Sequence, residues 1–278
     1  MRLITNESEL RDYIPNAFTA VKGETPLLKK LAPYLESGEL WLKQYVTGEA
    51  MMTLIIGRPI TDMMRSIATH IVVNEAMRQA VPSLDLVLTP NGFGIVSNSN
   101  IAPASKERVE RLIASLEDTR DDYVEQLIKL MGCEEAWQGS PQYRFYTSTL
   151  FPNLDLAVLC GFNEHRWRNY RALRNQVQLM ENMMAEEYIS HEQMMKLREI
   201  QVKGSYTTMQ LVVISTLRNI IINKINGKNI PHQMILRDIV NTFRKHPEEF
   251  PEWHASSTAA LFNPPVFENK KDNRGYWF

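Results

Sequence analysis

From residue 105 to 131 apolar side chains return at helical spacing: Val109, Leu112, Ile113, Leu116, Tyr123, Leu127, Ile128 and Met131, with Arg120 alone interrupting the stripe. That period predicts an amphipathic helix. Ser105 is placed to cap its start, and Gly132 stands where a left-handed closing residue belongs. The opposite face, with Glu110, Arg111, Glu117, Asp118, Asp121 and Asp122, reads as a solvated surface.

A second helix is expected over about 60–80, where Ile60, Met63, Met64, Ile67, Ile71 and Ala76 share one side. Pro59 suits its first turn and Pro82 closes it. The segment 27–56 is helical in character, and Pro33, Gly38 and Gly48 are expected to divide it into short helices. Between these helices and the one at 105 lies a β signal. Leu84, Leu86 and Leu88 alternate, Thr89-Pro90-Asn91-Gly92 makes a turn, and Phe93, Ile95 and Ser97 alternate again. Asn-Gly supplies the positive φ of a tight reversal, so a β-hairpin over about 84–97 is expected to project from a helical body.

Residues 133–162 are less regular and read as an elaborated connection. Asn163 is expected to cap a helix whose apolar side holds Trp167, Tyr170, Leu173, Val177, Met180 and Met184. Ser190-His191-Glu192-Gln193 has the capping-box pattern of a shorter helix toward Val202. Ser205 opens a helix apolar on most faces (Met209, Val212, Val213, Leu217, Ile220, Ile221), expected to be the buried centre of this half. A last helix is expected over about 231–245. From Pro247 onward prolines interrupt every period, yet Phe250, Trp253, Phe262, Phe267, Tyr276, Trp277 and Phe278 accumulate. An irregular tail this aromatic is expected to dock rather than to be a solvated linker.

The fold class is therefore mainly α: a helical bundle with one projecting β-hairpin and an irregular C-terminal tail. Its divisions are 1–132 (helical, with the hairpin), 133–162 (connection), 163–246 (helical) and 247–278 (aromatic-rich tail). No internal repeat is visible at solenoid periods.

Composition narrows the function. With 278 residues, 44% of them hydrophobic, the chain can bury a real core. Its 31 basic and 32 acidic residues leave a net charge of −1, against the basic excess of tight nucleic-acid binders. Stable duplex binding is disfavoured and transient contact with passing DNA is not. Two cysteines, Cys133 and Cys160, suggest no disulfide framework or zinc knuckle. The polar start and the short apolar runs suggest no secretory leader and no membrane span, which fits a reducing cytoplasm.

Chemistry is sparse. The six histidines do not pair at ligand spacing, so no metal or other cofactor is expected. Cys160 and His165 flank Gly161-Phe162-Asn163-Glu164 and are the one thiol–imidazole candidate. No orienting third group accompanies them, and Cys160 closes an apolar run as a core residue would. No catalytic residue is assigned; the alternative kept open is a cytoplasmic enzyme or regulator using the Cys160/His165 region. Asp121-Asp122 and Glu186-Glu187 read as solvated faces. The paired methionines read as core filler, some of them serving adaptable interfaces.

The block Leu86-Val87-Leu88-Thr89-Pro90-Asn91-Gly92-Phe93-Gly94-Ile95-Val96-Ser97-Asn98, continuing into Ile101-Ala102-Pro103-Ala104-Ser105-Lys106-Glu107-Arg108-Val109, resembles an uncharacterised family of Bacteroidetes phages and prophages. Leu3-Ile4-Thr5-Asn6 and Phe250-Pro251-Glu252-Trp253 resemble it too. That family is similar in layout to phage head–tail connector (adaptor) proteins. The resemblance implies a structural subunit of a homo-oligomeric ring, twelve-fold by analogy, in the virion neck after assembly in the host cytoplasm. It would bind the portal protein on one side and a tail or stopper component on the other. The implied interfaces are the hairpin tip (Pro90, Asn91, Gly92, Phe93) and the tail (Trp253, Phe262, Phe267, Tyr276, Trp277, Phe278).

Overall fold

A computed structural model describes residues 2–14, 26–83, 86–89, 92–95 and 105–263, the two short strands by backbone alone. The chain is mainly helical and divides into two compact units, Met1–Arg174 and Asn175–Phe278.

In the first unit, α1 (Glu7–Tyr13) is capped by Asn6, whose side chain accepts the Glu9 N–H at 2.8 Å. α2 (Leu27–Leu42) runs through Pro33 and Gly38 without a break, contrary to the division expected there. It ends in a five-residue π-turn, Lys43–Thr47. The division does fall at Gly48, whose φ of +76° an L side chain rarely adopts. α3 (Glu49–Gly57) follows, then α4 (Met63–Ala80), which Asp62 starts by accepting the Met64 and Arg65 N–H groups. Pro59 lies outside that helix, because a carboxylate cap satisfies two orphan donors and proline none.

β1 (Leu86–Thr89) and β2 (Gly92–Ile95) pair antiparallel, with Leu86 opposite Ile95 and Thr89 opposite Gly92. The turn residues Pro90 and Asn91 and both outer flanks lie outside the described residues. α5 (Lys106–Met131) packs along α4. Ser105 precedes it but makes no side-chain cap, and Gly132 is right-handed at φ −53° rather than left-handed. The stretch expected to be irregular is largely helical: α6 (Glu135–Gln138), α7 (Pro141–Thr147) and α8 (Asp155–Leu159). Proline at the first position of α7 and the Ser140 cap, which takes the Tyr143 N–H, explain one of these starts.

α9 (Arg166–Met184) begins in the first unit and ends in the second; Asn163 does not cap it. It too closes in a π-turn, Ala185–Ile189. Ser190 then stands at φ +70° and caps α10 (His191–Lys203) by accepting the Gln193 N–H. α11 (Thr208–Ile225) starts at a full capping box of Thr207 and Gln210, two residues beyond the Ser205 expected. α12 (His232–Lys245) buries Leu236, Ile239, Val240 and Phe243. α13 (Pro251–His254) and α14 (Ser257–Phe262) replace the first part of the expected irregular tail.

The expectation that α11 is enclosed does not hold. It buries one stripe (Val213, Ile214, Leu217, Ile220, Ile221), while Leu211 and Val212 stay 47% and 50% exposed. The enclosed helix is α4, which buries residues on several faces, among them Thr69 and Glu75.

Candidate functional site

The densest polar assembly lies where α4, α5 and the start of α9 meet within the first unit. Arg120, the interruption in the apolar stripe of α5, is buried and donates to Glu75 at 2.6 Å and to Asp121 at 2.6 Å. Arg78 and Gln79 also donate to Glu75, each at 2.7 Å. The Trp41 ring lies 4.8 Å from the guanidinium carbon. A buried cation can persist only with such compensation.

Burial pushes the Glu75 carboxyl up, but Arg78 and Arg120 outweigh it and hold the group below the usual carboxylate range. Asp121 goes the other way: burial wins over Arg120 and raises it. Arg120 is disfavoured by burial, yet Asp121 and Glu75 keep it more basic than usual.

The acidic face of α5 is solvated only in part: Glu110 and Asp122 are exposed as the sequence suggested, whereas Asp121 is buried and Glu117 largely so. Asp121 accepts the Trp167 N–H at 2.9 Å, Asp122 takes the Arg166 guanidinium at 2.8 Å, and Glu117 lies 2.8 Å from His165 Nδ1. These carboxylates gather at the N-terminus of α9, where unpaired backbone donors and the helix dipole favour negative charge. The assembly is closed by mutual pairing and fixes one helix end to another helix.

Cys160 and His165 are not joined by a hydrogen bond. Cys160 is buried, and that burial pushes its thiol up, away from the reactive thiolate. His165 is exposed at φ +52° and faces Glu117. Among the described residues one trio, His246 with Glu248 and Glu249, has ligand atoms close enough to share an ion. The imidazole Nδ1 lies 3.7 and 3.9 Å from the two carboxylates, and the Thr207 hydroxyl donates to Glu249. A cavity of about 440 Å³ between α2 and α3 has Glu36, Glu39, Lys43 and Glu49 on its walls with Met52 and Ile56. Burial raises the Glu39 carboxyl there, partly offset by the Leu3 N–H that it accepts. No helix among the described residues is long and apolar enough to cross a membrane.

The expected interface residues separate. Trp253 is a fully buried core residue of the second unit, and its indole N–H donates to the Tyr188 carbonyl at 2.9 Å. Phe262 stacks on Tyr188 at 5.9 Å. Both belong to packed helices rather than to a free tail. Phe267, Tyr276, Trp277 and Phe278, like Pro90 and Asn91, lie outside the described residues; Gly92 and Phe93 start β2. Sequence reasoning missed the Glu75–Arg120–Asp121 assembly, although a lone arginine inside an apolar stripe was its visible mark.

The model of a family of unknown function, DUF6712, matches residues 24–147. No curated protein and no solved structure matches the chain.

Proposed function

We propose that this protein is a structural subunit of a phage head–tail connector: a closed ring under the portal that extends the channel for departing DNA. The observation that carries the reading is the antiparallel pair β1–β2 inserted between α4 and α5 of a helical body. The sequence blocks around that pair resemble the phage family described above. A net charge of −1 also suits a channel wall, since a strongly basic ring would hold the DNA it must release. In this reading the hairpin projects, and its tip (Pro90 to Phe93) touches a neighbour or the portal. The docking tail is shorter than Trp253 to Phe278: it starts after α14, and Phe267, Tyr276, Trp277 and Phe278 are its anchors.

A ring of like subunits needs head-to-tail contacts that close on themselves. Electron microscopy of the purified protein, alone and mixed with its portal protein, tests this. Closed rings seated coaxially on the portal are expected. Monomers that form no ring and leave the portal bare at high concentration would overturn the proposal.

A further inference from the structure

Two stretches of the chain match each other in structure while sharing few residues. The π-turns after α2 and α9 are closed identically, by Gly48 N–H to Lys43 O and by Ser190 N–H to Ala185 O, both at 2.9 Å and both at positive φ. In the helices that follow, Met51, Met52 and Ile55 are buried in one, and Gln193, Met194 and Leu197 at the same steps in the other. The fourth carbonyl of each turn, Val46 and Tyr188, accepts an indole N–H, from Trp137 at 2.8 Å and Trp253 at 2.9 Å. Each tryptophan sits in a four-residue helix. Three residues on, Ser140 and Ser256 each cap the next helix, taking the N–H groups of Tyr143 and Ala259.

The match extends to the segments in front. Leu3 and Ile4 are buried, then Glu9 and Leu10; Leu150 and Phe151 are buried, then Leu156 and Ala157 at the same interval. Each leader lies on the helix that ends in the π-turn. Leu3 donates its N–H to Glu39 of α2 at 2.8 Å, and the Phe151 carbonyl accepts the Tyr170 hydroxyl of α9 at 2.9 Å. A short helix follows each leader, α1 and α8. The family match ends at Thr147, where the first of these stretches ends.

We infer that the chain is a tandem duplication of one helical module, residues 2–147 and 149–262. Each copy carries a groove on its first long helix that takes an extended Leu–apolar–X–Asn peptide running into a helical turn. Leu3–Asn6 fill the first groove and Leu150–Asn153 the second. The first leaves room beside its peptide: a cavity of about 290 Å³ remains next to Ile4, lined by Leu28, Ala32, Leu35 and Val72. Its leader is also joined to α2 by a longer connection (residues 14–26) than the one joining α8 to α9 (160–165). The first groove is thus the one that an added peptide can enter. This inference does not depend on the ring.

The test uses the full chain with Leu3→Asp and Leu10→Asp, which ejects the first leader, and fluorescently labelled peptides of residues 2–14 and 149–160. Both peptides are expected to bind the variant saturably, and to bind wild type at least about tenfold more weakly because its own leader occupies the groove. A folded variant that binds neither overturns the groove. One that binds 2–14 but not 149–160 overturns the equivalence of the copies. Should the double variant fail to fold, Leu3→Ala replaces it, read by hydrogen exchange. Excess peptide 2–14 is then expected to slow exchange across α2 and α4, and unchanged exchange overturns the groove.

Discussion

α4 and α11 have the same length, eighteen residues, and each follows a π-turn and one further helix. α11 is the more apolar in sequence, yet α4 is the more enclosed. The difference lies in their partners: α4 packs against both α2 and the second half of α5, which buries Val124, Leu127, Ile128 and Met131, whereas α11 packs chiefly against the 14-residue α12. Two partners cover α4 widely enough that a glutamate must be neutralised inside it. The short partner leaves α11 with one buried stripe and two half-exposed aliphatic residues. Burial is thus decided by what a helix is given to pack against and only secondarily by its own hydrophobicity.

The strongest way to break this contrast is Arg120→Ala. It leaves Glu75 and Asp121 buried without their shared cation, and a loss of about 3–5 kcal/mol of unfolding free energy is expected. Urea titration followed by far-ultraviolet circular dichroism measures it, and a loss below about 1 kcal/mol would show that water reaches the assembly.

Matched truncations sharpen the contrast. Ile67→Ala in α4 removes a side chain only 5% exposed, and should cost about 2–4 kcal/mol. Val212→Ala in α11 should stay within about 0.5 kcal/mol. Equal costs in the same titration would mean that the open side of α11 is covered in solution.

The smallest effect concerns the two π-turn closures. Ser190 holds φ +70° and ψ 153°, a region that glycine occupies freely. Ser190→Gly relieves that strain and gives up the bond to Gln193, which costs a few tenths of a kcal/mol. The net expectation is a gain of about 1 kcal/mol. Gly48→Ser should lose stability, because its φ of +76° strains any L side chain and a Cβ there would also crowd the Ser140 Cβ at 3.2 Å. Thermal unfolding of the pair reads both signs.

The sequence shows some of this directly. The helix through Lys106–Met131 is legible from its period, and the strand pair from its alternation around Asn-Gly. Both signals are local, so no distant residue is needed to interpret them. The π-turns are not legible, because a five-residue closure leaves no mark in composition. Trp253 shows why a site can be misplaced. Its prolines and aromatic neighbours resemble a docking tail, and its actual partner, the Tyr188 carbonyl, is 65 positions away. The acidic run Glu117–Asp122 likewise looks like any solvated face until Arg166 and Trp167 are brought against it.

Trp137 and Trp253 are both dry and both anchored through nitrogen, and this gives the molecule its own optical labels. An indole in a rigid apolar site emits at shorter wavelength than one in water. Trp41 and Trp167, by contrast, each lie within 5 Å of an arginine guanidinium carbon. Among the described residues Trp253 is the only tryptophan of the second unit. With the first unit's three tryptophans and Trp277 replaced by phenylalanine, the emission spectrum follows the second unit alone. Set beside the circular dichroism of the whole chain, that colour change shows whether the second unit loses structure first or last.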